Sequence, residues 1–135
     1  MAANRVAVEQ ASDPMVKEFG KWEVAEQETI ADILKSMESD GRAEGALKPP
    51  SESEVEAMLD AEGKASLDKL KSASGKDFDK AYVTAQLDGH KKLLTIQEDY
   101  LKVGQNLEHL GVTKLARGQI KEQIDHLDML KSKVG

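Results

Sequence analysis

Apolar residues recur at steps of three and four through most of this chain, and nowhere do they alternate over a useful length. A period near 3.6 places such residues on one helix face, whereas a half-buried strand needs a period of two. The pattern therefore predicts helices packed by their apolar faces. Punctuation divides them. Residues 2–11 (AANRVAVEQA) fit a short helix. Asp13 then Pro14 marks a helix start, with the carboxylate as N-cap and the ring at the first helical position. From there Phe19, Trp22, Glu26, Ile30, Ile33 and Met37 form a stripe that runs to about Ser39, and Asp40-Gly41 ends it.

Residues 41–50 (GRAEGALKPP) form a linker, because two glycines and a double proline cannot continue a helix. Ser51 and Glu54 fit a capping box. It opens a helix with Val55, Met58, Leu59, Leu67 and Leu70 inward, weakened in its middle by Gly63. Ser72-Ala73-Ser74-Gly75 marks a break. The longest helix is expected from about Lys76 to Val103, with Phe78, Tyr82, Ala85, Leu93, Ile96, Tyr100 and Val103 as its stripe. A last helix runs from about His109 to Lys133, with Val112, Leu115, Ala116, Ile120, Ile124, Leu127 and Leu130 inward. Short connections between long amphipathic helices imply antiparallel neighbours. The expectation is one all-α domain over residues 1–135, an antiparallel four-helix bundle with a short or truncated N-terminal helix.

Composition narrows the function. The net charge of -6 argues against nucleic acid as the main partner. With no cysteine, disulfides, thiolate nucleophiles and cysteine-ligated metals drop out. No apolar run reaches the length of a transmembrane segment. The start, from Met1 to Val8, has an arginine but no hydrophobic segment of a secretory signal. The glycines are scattered singly, which argues against a phosphate loop, and the serines concentrate at caps and linkers. No catalytic constellation is visible, so the chain is not expected to be an enzyme.

Polar residues that interrupt the stripes supply the candidate site. Glu26 sits between Trp22 and Ile30, with Glu23 and Gln27 beside it. A buried carboxylate needs a partner, a proton or a wet opening; otherwise that part of the helix faces solvent. If the last two helices form a hairpin centred near residue 107 or 108, His90 and His126 stand at about the same height. Two imidazoles at one level, with Glu26 or Gln27 from a third helix, could hold a divalent transition metal ion. The alternative is a hydrogen-bonded polar layer that fixes helix register, or two unrelated half-exposed histidines. A di-iron carboxylate centre needs Glu-x-x-His on two helices. The residues three before His90, His109 and His126 are Leu87, Asn106 and Gln123, so that centre is not expected. His109 falls in a presumed connection and should face water. Asp79 suits a helix N-terminus, and Tyr82 should bury its ring with its hydroxyl bonded.

Three stretches resemble an uncharacterised bacterial family, a domain of unknown function often labelled a putative outer-membrane protein. They are Ala11-Ser12-Asp13-Pro14-Met15-Val16-Lys17-Glu18-Phe19, Ser74-Gly75-Lys76-Asp77-Phe78-Asp79-Lys80-Ala81-Tyr82 with His90 eight residues on, and Ile124-Asp125-His126-Leu127. The resemblance implies a ferritin-like bundle exported to the periplasm, although the missing leader leaves the cytoplasm open as the alternative. Two departures stand out. Gln27 follows Glu26 where members usually carry a histidine, and only Ala3 to Gln10 could represent the end of the family's first helix. The leading expectation is a non-catalytic binding or structural domain of the bacterial envelope. The second is a metal-binding bundle through His90 and His126. The third is a homo-oligomer, since a short first helix would leave an apolar face for a partner helix, whose identity the sequence does not give.

Overall fold

The computed structural model describes residues 1–38 and 50–135. Six helices account for most of them: α1 (Ala2–Gln10), α2 (Pro14–Glu38), α3 (Glu52–Ala57), α4 (Ala61–Ser72), α5 (Gly75–Val103) and α6 (Leu107–Val134). No strand occurs among the described residues. The expected all-α class is observed, with six helices in place of four. The expected stop at Asp40-Gly41 and the linker up to Pro49 lie outside the described residues.

The helices start where local chemistry satisfies their free amides. Asp13 Oδ1 accepts from the Met15 and Val16 amides at 2.8 and 3.4 Å, with Pro14 as the first helical residue. Ser51 and Glu54 form the reciprocal capping box that opens α3. Its hydrogen bonds hold the Glu54 carboxyl below the usual carboxylate range, the Ser51 backbone amide contributing most. The expected single helix after Ser51 is two helices. The break falls at residues 58–60 rather than at Gly63, because Asp60 caps α4 by accepting from the Gly63 amide at 2.7 Å. Met58, expected inward, is 76% exposed there. Asn106 caps α6, so His109 lies in that helix's first turn and not in a connection.

Two compact units are present, Met1–Tyr82 and Val83–Gly135. In the first, α1 packs on α2, α3 and α4 around Ala7, Val16, Phe19, Val55, Leu67, Leu70, Phe78 and Tyr82. Gly20 lets α1 and α2 approach, since a Cβ there would stand 3.1 Å from the Ala7 Cβ. The inward face of α2 is Val16, Phe19, Gly20 and Glu23. Trp22, expected in the stripe, is 57% exposed, and Glu26 is half-buried. In the second unit, Val83 and Leu87 of α5 and Ala116, Ile120, Leu127 and Leu130 of α6 are buried. Ala85, Leu93, Ile96, Val103 and Leu115, expected inward, are exposed.

Candidate functional site

Among the described residues, the first unit buries four polar side chains, Asn4, Glu23, Asp79 and Tyr82, and joins each of them to protein partners. Tyr82 donates its hydroxyl to Asn4 Oδ1. Asn4 donates to Gln27 Oε1 at 2.9 Å, and Gln27 donates to Glu23 Oε2 at 3.1 Å. The chain thus runs from a phenol through two amides to a carboxylate that is only 2% exposed. Burial, and after it the negative charge of Glu23, push the Tyr82 phenol well above its ordinary value. Aromatic packing fixes the ring: Phe78 stacks on it at 5.9 Å between centroids, and Phe19 meets it edge-on at 6.5 Å.

Asp79, the fourth buried polar residue, closes the corner between α1 and α2. Its Oδ1 accepts from the Ser12 amide at 2.9 Å, and its Oδ2 accepts from the Asp13 amide at 2.9 Å and from the Ser12 hydroxyl. Charge-assisted bonds of this kind are about twice as strong as neutral ones. The two longer stretches that carry the family resemblance, Ala11 to Phe19 and Ser74 to Tyr82, are therefore partners in one structure. Asp79 grips the first from the second, and Tyr82 packs on Phe19. Sequence reasoning placed Asp79 at its own helix N-terminus and did not see the donors 67 residues away.

Beside this core lies an open groove of about 470 Å³. Val6, Val8 and Val24 give it an aliphatic lining, and Arg5, Glu9, Glu28, Glu52 and Lys71 give it charge. Arg5 is paired with Glu28 at 3.1 Å and also donates to the Pro50 carbonyl at 2.8 Å. Lys71 is paired with Glu56 at 2.8 Å, which raises its pKa. The volume is in the range of small-molecule sites. Nothing in the periodicity marked these residues.

The residues named as metal ligands are distributed over both units. Gln27 and Glu26 are on α2 in the first, and the Gln27 amide is engaged on both sides by Asn4 and Glu23. His90 and His126 are in the second. His90 is buried, its Nδ1 donating to the Gln86 carbonyl at 2.7 Å and its Nε2 lying 3.0 Å from Gln123 Oε1. Gln123 therefore stands opposite His90, and His126 follows about one turn further along α6. Among the described residues, no three histidine, aspartate or glutamate side chains gather as a metal ion would require. No described helix is long and apolar enough to cross a membrane.

No curated protein and no solved structure matches the chain significantly. A family model does match, over residues 1–132 and so over both units. The chain belongs to DUF4142, a domain family of unknown function.

Proposed function

We propose that this chain is a non-catalytic binding domain of the bacterial envelope, built on a ferritin-like helical plan, and that the groove bordered by Arg5 and Lys71 is where it binds. The observation that carries the reading is the commitment of the buried polar groups to one another. Asp79 holds the start of α2, and Tyr82, Asn4, Gln27 and Glu23 form one hydrogen-bonded series. Their chemistry is spent on geometry. The groove instead offers aliphatic surface with charge of both signs at an open face, the combination with which binding sites fix a ligand's body and its polar ends.

A thermal-shift screen of small charged amphiphiles and short peptides tests this. The expected result is a stabilising compound whose effect disappears in Glu9→Lys and Glu52→Lys. Turnover of any substrate that is abolished by His90→Ala or His126→Ala would overturn the non-catalytic reading. Fractionation of the native host tests the location, and recovery in the cytoplasm alone would remove the envelope part.

A second reading retains His90 and His126 as ligands of a divalent ion. The turn of His90 Nε2 toward α6, where His126 lies a turn beyond Gln123, favours it. Calorimetric titration of zinc, copper and nickel into chelator-treated protein checks it. Binding weaker than about millimolar, or unchanged in the two alanine variants, ends it.

A further inference from the structure

Beside its contacts with α6, α5 carries a row of residues that is apolar and exposed toward its C-terminal half. Gln86, Leu93 and Tyr100 recur every seventh residue, and so do Gly89, Ile96 and Val103. The two rows alternate at steps of three and four, the pattern of a coiled-coil interface and not of a scattered surface. Leu93 is 43%, Ile96 64% and Val103 76% exposed, and Gln86 and Tyr100 are half-buried. Gly89 opens onto space, with no atom within 4 Å of a Cβ built there. The seam is about 25 Å long. Its period specifies a helix as occupant, because only a helix repeats its knobs at that spacing.

The geometry points to a second copy of this chain as that occupant, paired through α5 in antiparallel fashion with Leu93 of one copy against Ile96 of the other. In an antiparallel pair the two rows face each other, so that positions opposite one another have a constant sum. With Leu93 opposite Ile96, Tyr100 falls opposite Gly89, and Gln86 falls opposite Val103. The largest side chain of the seam meets the one position with no side chain, and it does so twice by symmetry. The flanking residues on one edge are Lys92 and Asp99, both exposed. At this register Lys92 of each copy comes beside Asp99 of the other.

Alternative registers lose that match. A slide of one heptad in one direction brings Asp99 beside Asp99, and a slide in the other brings Lys92 beside Lys92. Parallel pairing sets Lys92 near Gln97 and leaves both charges without an opposite. Like charges placed together disfavour a register. The ion pair that Asp99 already makes, with Lys102 at 3.4 Å on the same helix, is exposed and weak. It does not hold Asp99 from a second cation.

Sedimentation equilibrium of the 135-residue chain is expected to give a mass twice that of the chain. Gly89→Leu separates association from folding. It replaces a poor helix former on an open face, so the helical content and melting midpoint of the monomer hold or rise while the dimer is lost against Tyr100. Lys92→Glu and Asp99→Lys each weaken pairing, and the two together restore it. The chain has no cysteine, so introduced thiols report the orientation. Mixed Leu93→Cys and Ile96→Cys chains cross-link to each other, and neither does so alone. A monomer at every concentration, a dimer indifferent to Gly89→Leu, or efficient cross-linking of Ile96→Cys chains alone would overturn the proposal.

Discussion

The two compact units are held by different means. In Met1–Tyr82 the buried centre is partly polar: Asn4, Glu23, Asp79 and Tyr82 are all closed to solvent and linked by directional bonds. In Val83–Gly135 the seam between α5 and α6 is mainly aliphatic, and buried His90 meets half-buried Gln123 across it. Aliphatic contact stabilises without specifying, since neighbouring registers bury similar area. Directional bonds specify, because a displaced donor or acceptor loses its partner while still paying for desolvation. The first unit should therefore respond sharply to loss of one polar atom, and the second to loss of apolar volume.

Asp79→Ala should produce the largest effect, about 3–5 kcal/mol, because it strips the Ser12 and Asp13 donors of a charged acceptor. Urea denaturation followed by circular dichroism measures it, and a loss under about 1 kcal/mol would break the contrast. Next comes Leu127→Ala in the second unit, which removes a fully buried side chain and should cost about 2–4 kcal/mol.

Tyr82→Phe deletes only the hydroxyl, leaves Asn4 Oδ1 without its donor, and should cost about 1–3 kcal/mol. The same variant sharpens the case through pH. The phenol is raised above its ordinary value of about 10. Its contribution is complete below that pH and is lost as pH climbs toward the folded-state value. Alkaline destabilisation should thus be shallower in Tyr82→Phe. Ser51→Ala, at an exposed capping box, should cost about 1 kcal/mol in the thermal midpoint analysis. Trp22→Ala should change stability by less than about 0.5 kcal/mol despite the size of the side chain, because the indole is largely exposed.

The helix boundaries were legible because caps act locally. Asp13-Pro14, Ser51 with Glu54, and the break from Ser72 to Gly75 each contain their own explanation within four residues. The phase of α2 was not. Counting apolar residues favours Trp22 and Ile33, whereas the structure turns Gly20 and Glu23 inward. Gly20 is there for the space it leaves to Ala7, and Glu23 because Gln27 meets it one turn on. Neither reason registers as hydrophobicity. Of the candidate site, the bonded Tyr82 was anticipated, but Asn4 was invisible. A small amide near the start of a sequence has no distinguishing neighbour until α2 and α5 are placed around it. The break at Asp60 could have been found, since an aspartate three residues before Gly63 is an N-cap signal that Gly63 itself obscured.

The grip of Asp79 on Ser12 and Asp13 has a consequence for the order of events during synthesis. The acceptor of the Ser12 amide at that corner is translated 67 residues after it. Until α5 has formed, the entry to α2 leans on Asp13 alone and remains open to water. The corner between the first two helices should therefore be among the last elements of its unit to gain protection in pulse-labelled refolding.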